Sequence, residues 1–231
     1  MSFPMNKQLY LILGFLVILA GLPVSIQANQ SCDDSLTGDF YKKVVPTNLD
    51  RCLDEQPALI NLTTSGGLTV LHLAAGNTQE PEILKILINA GANIEAKSSE
   101  GFTPLHIASA HNTNPTITKT FLDAGADIEA KAELGLTPLH SAAAYNTNNE
   151  IIELLLKAGA QINSKIILIG WTPLHAAAAY NGNPKIIVTL LENGADPGAP
   201  DAQGKIPLDL LSENNNLAYD KNIYERLSEG Q

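Results

Sequence analysis

The sequence has little positive charge, and arginine is especially scarce. Its 231 residues include 24 Asp and Glu against 14 Lys and Arg, which gives a net charge of −10. The arginines are Arg51 and Arg226. Proteins that bind nucleic acids depend on clustered Arg and Lys to neutralise phosphates. The composition therefore argues against a nucleic-acid partner.

Sequence motifs of enzyme chemistry are also missing. The chain contains no nucleophile elbow, no phosphate-binding loop and no HExxH zinc motif. No group of residues is a candidate catalytic or cofactor-binding site, and we predict no cofactor. Enzymatic activity is therefore a hypothesis that no residues in the sequence support.

A long apolar run is found only at the N-terminus. Lys7 precedes the run Leu9–Leu22, which Pro23 ends. A basic start, a short apolar core and a small residue at the break predict a secretory signal peptide over residues 1–28, cleaved after Ala28. An uncleaved membrane anchor is the alternative, although a span needs roughly 20 apolar residues. We expect an exported protein, periplasmic or secreted, that is not held in the membrane after cleavage.

Cysteine is scarce as well, and the two cysteines of the sequence are Cys32 and Cys52. An isolated pair in an exported protein usually forms a disulfide. We predict a Cys32–Cys52 bond, with two free buried thiols as the alternative.

Two phrases recur along the chain in a fixed order. The first, Thr-Pro-Leu-His or a variant of it, begins at Thr69, Thr103, Thr137 and Thr172, with a degenerate copy at Ile206. The second occurs as NAGANIEAK, DAGADIEAK, KAGAQINSK and NGADPGAPD. Because both share one spacing of about 34 residues, the chain is a repeat array.

Each repeat predicts two helices and a hairpin. Thr103 followed by Pro104 is a helix start, and Asn114 followed by Pro115 is a second one. Glycines such as Gly125 follow the second helix, where a left-handed residue ends it. The segment from there to the next Thr-Pro-Leu-His turns out and back as a hairpin.

The two phrases in register resemble the ankyrin repeat, of an exported, bacterial type. The resemblance implies an all-α solenoid of helix-turn-helix units with β-hairpin loops. Residues 29–66 would form an N-terminal capping repeat, 67–204 about four full repeats, and 205–231 a C-terminal capping repeat. One departure is the period, which exceeds the usual value of about 33 by a residue in the helix–helix turn.

Four histidines recur in the first phrase, which raises the question of a metal site. Equivalent positions of stacked helices lie roughly 8–10 Å apart, whereas zinc needs nitrogens at about 2.1 Å. We therefore predict hydrogen bonds between repeats and no metal. The histidines are His72, His106, His140 and His175.

The resemblance implies a protein partner that binds hairpin tips and the exposed side of the first helix. An aromatic strip maps onto these positions, and an apolar run in the fourth hairpin joins it. Packing of the aromatic residues on their own hairpins is the alternative. The predicted binding residues are Phe102, His111, Tyr145, Ile166, Ile167, Leu168, Trp171 and Tyr180.

The apolar run Ile166–Ile169 breaks the repeat in polarity and in length, because the fourth hairpin has one extra residue. Three interpretations are open. The run could pack on a neighbouring hairpin, anchor a partner as exposed apolar patches do, or mediate weak self-association through a strand edge.

Overall fold

The computed structural model describes residues 46–55, 57–212, 214 and 221–228. The predicted signal peptide, Cys32 and the beginning of the N-terminal cap lie outside these residues. Cys52 lies within them and its side chain is buried, and its bond to Cys32 stays a prediction. Over the described part of the chain, no helix is both long and apolar enough to cross a membrane.

The described residues are mainly helical, and they contain no extended strand beyond an isolated bridge between Thr63 and Thr69. Four repeats each contain two α-helices. The first helices are α2 (Val70–Asn77), α4 (Pro104–His111), α6 (Pro138–Tyr145) and α8 (Pro173–Tyr180). The second helices are α3 (Pro81–Asn89), α5 (Pro115–Asp123), α7 (Asn149–Lys157) and α9 (Pro184–Glu192).

Shorter pieces flank these repeats. Helix α1 (Pro46–Glu55) and a 3₁₀ turn (Pro57–Asn61) precede them, and α10 (Pro207–Leu211) and α11 (Lys221–Ser228) follow. Leu49 and Leu53 of α1 and Ile223 and Leu227 of α11 are buried in the common core. The apolar core therefore continues into a helix at each end of the array.

The helices start and end as the residues predict. Pro104 occupies the first turn of α4, where its missing N–H costs no hydrogen bond. Asn114 accepts from the Thr116 N–H and caps α5. Gly125 follows that helix with φ 85°, a conformation that a residue with a Cβ disfavours.

The helices form two layers. Each first helix packs on the first helices of adjacent repeats, and each second helix packs on second helices. Ala108 and Ser109 of α4, and Ala142 and Ala143 of α6, are completely buried. Their small side chains let successive first helices approach closely, which holds the repeats in register.

A ladder of buried asparagines also joins the repeats, and the sequence reading missed it. The Asn146 amide donates to the carbonyls of Ser109 at 2.8 Å and Asn112 at 2.9 Å, both in the preceding repeat. Its Oδ1 accepts from the Asn148 N–H. Asn112, Asn181 and Asn214 make the same pair of amide donations. Each rung satisfies backbone groups that burial would otherwise leave unpaired.

Several buried side-chain hydroxyls among the described residues have no hydrogen-bond partner, and that of Thr118 is one of them. Thr118 lies on α5 where the other second helices carry Leu84, Ile152 and Ile187. Its side chain is fully buried, and its hydroxyl has no partner. A buried hydroxyl without a partner loses its hydration and gains nothing in return.

We expect Thr118→Val to stabilise the protein by about 1 kcal/mol, because it removes this hydroxyl and keeps the shape. The melting temperature should rise by about 2–4 °C. Thr120→Val is the matched control, since the Thr120 hydroxyl donates to the Thr116 carbonyl and its loss should give no gain. Equal stabilisation by both changes, measured by thermal unfolding, would contradict this account.

Candidate binding surface

Five hairpin turns project from the repeats and follow one pattern. In the second hairpin, the Ser98 N–H donates to the Phe102 carbonyl and the Gly101 N–H donates back to Ser98. The third hairpin repeats both bonds, from Ala132 to Leu136 and from Gly135 to Ala132. A glycine in the left-handed region closes each turn.

Backbone hydrogen bonds also stack the tips on one another. The Ser99 N–H donates to Gly66, and Glu133 donates to Glu100. Ile167 then donates to Leu134, and Ala202 donates to Ile169. The tips therefore form a continuous row along the array, so each tip has a fixed place relative to the next.

The fourth tip accommodates the extra residue by widening its turn. Its closing bond runs from the Gly170 N–H to the Ile166 carbonyl, four residues back instead of three. Ile167 donates to the preceding tip and Ile169 accepts from the following tip, as the equivalent residues of the other tips do. Leu168 is therefore the inserted residue. It adopts φ 73°, in the left-handed region that leucine disfavours.

The apolar run divides between the core and the surface. Ile166 and Ile169 are buried at 1% and 8% exposure. Ile167 and Leu168 are 57% and 73% exposed and are the large hydrophobic residues that stand out on the described surface. We call Ile167 and Leu168 the tip patch. The packing interpretation therefore holds for Ile166, which offers a partner almost no side-chain surface.

Trp171 follows the tip patch in the sequence and is largely buried, at 8% exposure. Its indole N–H donates to the Asp201 carboxylate at 3.1 Å, and its ring packs on Tyr180 with centroids 5.8 Å apart. The side chain therefore links the fourth hairpin to the fifth. Asp201 was not among the predicted site residues, because its neighbours in the sequence give no sign that its carboxylate binds the Trp171 indole.

Three aromatic rings form a column at the ends of successive first helices. The His111 and Tyr145 ring centroids are 6.3 Å apart, and those of Tyr145 and Tyr180 are 6.2 Å apart, both pairs stacked. All three side chains are half-buried. We call them the aromatic column, and Trp171 joins it to the fourth hairpin. Burial lowers the pKa of His111 below its ordinary value.

Phe102 is separate from this column. Its side chain is 3% exposed and its ring contacts His106 edge-on at 5.6 Å. The predicted strip is therefore interrupted, because Phe102 packs within its own repeat. The predicted site residues whose side chains are half-buried or exposed, and could therefore contact a partner, are His111, Tyr145, Tyr180, Ile167 and Leu168.

The recurring histidines make the predicted hydrogen bonds between repeats. His106 Nε2 lies 3.0 Å from the Leu136 carbonyl in the next repeat. Its Nδ1 accepts from the Thr103 N–H at 3.2 Å, which places the ring hydrogen on Nε2 and makes the ring neutral. Burial lowers the pKa values of His106 and His140 to about 4. The described residues contain no cluster of His, Cys, Asp and Glu placed to hold a metal ion.

Charge is distributed unevenly over the array. The four first helices carry no Asp, Glu, Lys or Arg, whereas every second helix carries charged residues. The ion pairs there, such as Lys119–Asp123, are exposed and contribute little to stability. Glu95 and Glu129 accept backbone N–H groups of the following repeat.

Two layers of short helices with a row of stacked hairpin turns define an α-helical repeat solenoid. A family model described as ankyrin repeats (3 copies) matches residues 47–132 and 110–201, which is more than half of the chain. The chain therefore belongs to the ankyrin-repeat family. Such repeats generally mediate protein–protein interactions and are typically non-catalytic. A search of curated proteins found no match.

Proposed function

We propose that this chain is a non-catalytic scaffold that binds a particular protein partner through the tip patch and the aromatic column. The exposed side chain of Leu168 is the observation that carries the proposal. A soluble domain gains nothing in stability from an exposed leucine in a left-handed conformation. An exposed leucine in this conformation at a protruding tip favours a role in binding.

The distribution of charge supports an apolar mode of recognition. The first helices, which bear the aromatic column, carry no charged side chain. Aromatic side chains are enriched among the residues that dominate binding energy at interfaces. The partner should therefore present an uncharged, apolar contact surface, and its affinity should depend only weakly on salt.

Self-association through the tip patch is the second candidate. It is favoured by the same two exposed side chains, but two side chains fall far short of the roughly 800 Å² that each partner buries in a stable interface. Size-exclusion chromatography with light scattering separates the candidates. A monomer at high concentration would rule out self-association through this patch.

Replacement of Leu168 by glycine tests the partner site without adding charge. We expect Leu168→Gly to weaken partner binding on the order of tenfold, because it removes the most exposed apolar side chain. The same change should raise protein stability by about 1 kcal/mol, since glycine adopts φ 73° freely. Binding would be measured by calorimetry with a partner first captured on the wild-type chain and then purified.

Ser99→Gly is the matched control, because Ser99 is exposed at the tip of the second hairpin. It should leave the affinity unchanged. Equal affinities for the wild type, Leu168→Gly and Ser99→Gly would reject the tip patch as a binding element. A stability gain in Leu168→Gly excludes misfolding as the cause of weaker binding.

Export remains part of the proposal and is supported by the N-terminal sequence alone. The apolar run that ends at Pro23 and the small Ala28 predict a mature chain that begins at Asn29. Mass spectrometry of the protein purified from the exported fraction would give that N-terminus. A chain that keeps residues 1–28 in the membrane fraction would favour the anchor instead.

A further inference from the structure

One rung of the asparagine ladder differs from its neighbours in the residue that follows it. Asn146 in the third repeat is followed by Thr147, whereas Asn181 in the fourth repeat is followed by Gly182. The second repeat also has threonine at this position, and all three following residues are exposed. Asparagine is a thermolabile residue, and a glycine after it has no side chain to hinder attack by its own backbone nitrogen. The fourth repeat therefore carries a reactive pair where the preceding repeats carry a hindered one.

The reaction of such a pair takes place within the chain. The Gly182 nitrogen attacks the side-chain amide carbon of Asn181, a C–N bond forms, and ammonia leaves with the proton of that nitrogen. The product is a cyclic succinimide. Water then opens the ring at either carbonyl and leaves an aspartate or an isoaspartate. The net change is hydrolysis of the side-chain amide to a carboxylate and ammonia, and it needs no reactant besides water.

The folded ladder restrains the Asn181 side chain. Its amide donates to the carbonyls of Ala143 at 2.9 Å and Asn146 at 3.0 Å, and its oxygen accepts the Asn183 N–H at 2.8 Å. The residue is 3% exposed. Ring closure requires the side chain to turn towards the Gly182 nitrogen, which breaks these bonds. The reaction therefore requires local opening of the repeat.

Neither product can rebuild the rung. An aspartate at position 181 has no N–H to donate, so a buried carboxylate would face the carbonyls of Ala143 and Asn146. An isoaspartate also adds one carbon to the main chain directly before Asn183, which caps α9. A chain that reacts while open therefore cannot restore the contacts that protected it.

We propose that Asn181 is a deamidation site that the fold protects, and that its reaction turns opening of the fourth repeat into an irreversible change. Chemical modification of the unfolded state is a general route by which unfolding becomes irreversible. In this chain that route leads through one rung of the ladder. The modification depends only on contacts within the chain, so it stands or falls independently of the proposed binding surface.

A second Asn-Gly pair provides an internal reference for the chemistry. Asn193 and Gly194 follow α9, are exposed, and lie outside the ladder. In the unfolded chain both pairs are free to react, so their rates should be comparable. The rate at Asn181 relative to that at Asn193 therefore separates protection by the fold from the intrinsic reactivity of the pair.

Peptide mass spectrometry measures both positions at once. The full chain would be incubated at mildly alkaline pH with and without urea, and the deamidated fraction at each asparagine compared with that of an unincubated sample. We expect Asn181 to react as fast as Asn193 in urea and at least about tenfold more slowly in the folded protein. Equal rates at Asn181 with and without urea would overturn the proposal. So would an unreacted Asn181 in urea while Asn193 deamidates.

Refolding after the incubation tests the consequence. Wild-type chains held in urea should lose the ability to refold in proportion to deamidation at Asn181, measured by circular dichroism after the urea is removed. Gly182→Thr restores the residue of the preceding repeats and hinders ring closure, so this variant should refold after the same incubation. Both chains keep the pair at Asn193, which removes its deamidation as a cause of any difference. An equal loss of refolding in both chains would overturn the proposal.

Asn181→Asp gives the direct product without any incubation. Its melting temperature should lie at least about 5 °C below that of the wild type, because the buried rung has lost its donors. This measurement does not depend on how Gly182→Thr folds. An Asn181→Asp chain as stable as the wild type would show that deamidation at this rung is harmless, and would contradict the proposed irreversible change.

Discussion

Replacement of Asn146 by alanine should destabilise the protein by about 3 kcal/mol, since it leaves two buried carbonyl groups without donors. In the wild type the Asn146 amide donates to Ser109 and Asn112, and its side chain is 1% exposed. The melting temperature should fall by about 6–12 °C, measured by thermal unfolding.

Two further variants distinguish the ladder from simple loss of packing. Asn146→Asp keeps the shape of the side chain and removes the two donors, so it should destabilise at least as much as alanine. Asn148→Ala removes a half-buried helix cap that also donates to the Thr113 carbonyl of the preceding repeat, and it should cost about 1–2 kcal/mol. A smaller effect at Asn146 than at Asn148 would contradict the role that we assign to the ladder.

The free energy of unfolding should fall steeply in mild acid, by roughly 2 kcal/mol between pH 7 and pH 5 for each of His106 and His140. Burial lowers their pKa values to about 4, whereas unfolding returns them to about 6.5. The unfolded chain therefore takes up protons between these values, and the stabilisation present above pH 6.5 is lost as the pH falls. Urea unfolding at the two pH values measures the loss.

The variant His106→Gln/His140→Gln provides the comparison. It should be less stable than the wild type at pH 7, because glutamine cannot reproduce the bonds of both ring nitrogens. It should also lose much less stability between pH 7 and pH 5, since those two titrations are gone. If the variant and the wild type lose the same amount, the buried histidines are not the source of the acid sensitivity.

The positions of the helices could be predicted because their signals are local and repeated. Thr103-Pro104 and Asn114-Pro115 each begin a helix where the sequence places them. The histidine hydrogen bonds between repeats could also be predicted from the sequence, because the known spacing of packed helices is too large for the histidines to share a metal ion. The asparagine ladder has an equally regular signal, the recurring Asn-x-Asn. It was missed because asparagine at a turn is ordinarily explained as a cap.

The candidate binding surface was harder to predict from the sequence, because the pattern of buried residues in an irregular loop is not periodic. Four consecutive apolar residues do not reveal that Ile166 and Ile169 face the core while Ile167 and Leu168 face solvent. That division follows from the widened turn, which depends on the row of tips on either side. Trp171 is buried for a similar reason, since its partner Asp201 lies 30 residues away.

Site-specific photo-crosslinking is the most direct test of the binding surface. A photoreactive amino acid would replace Leu168, Tyr145 or Glu150, one at a time, and each chain would be mixed with the purified partner. Glu150 is exposed on a second helix, outside the proposed surface. We predict crosslinks from positions 168 and 145 and none from position 150. Crosslinks from position 150 alone, or equally from all three, would contradict the proposed binding surface.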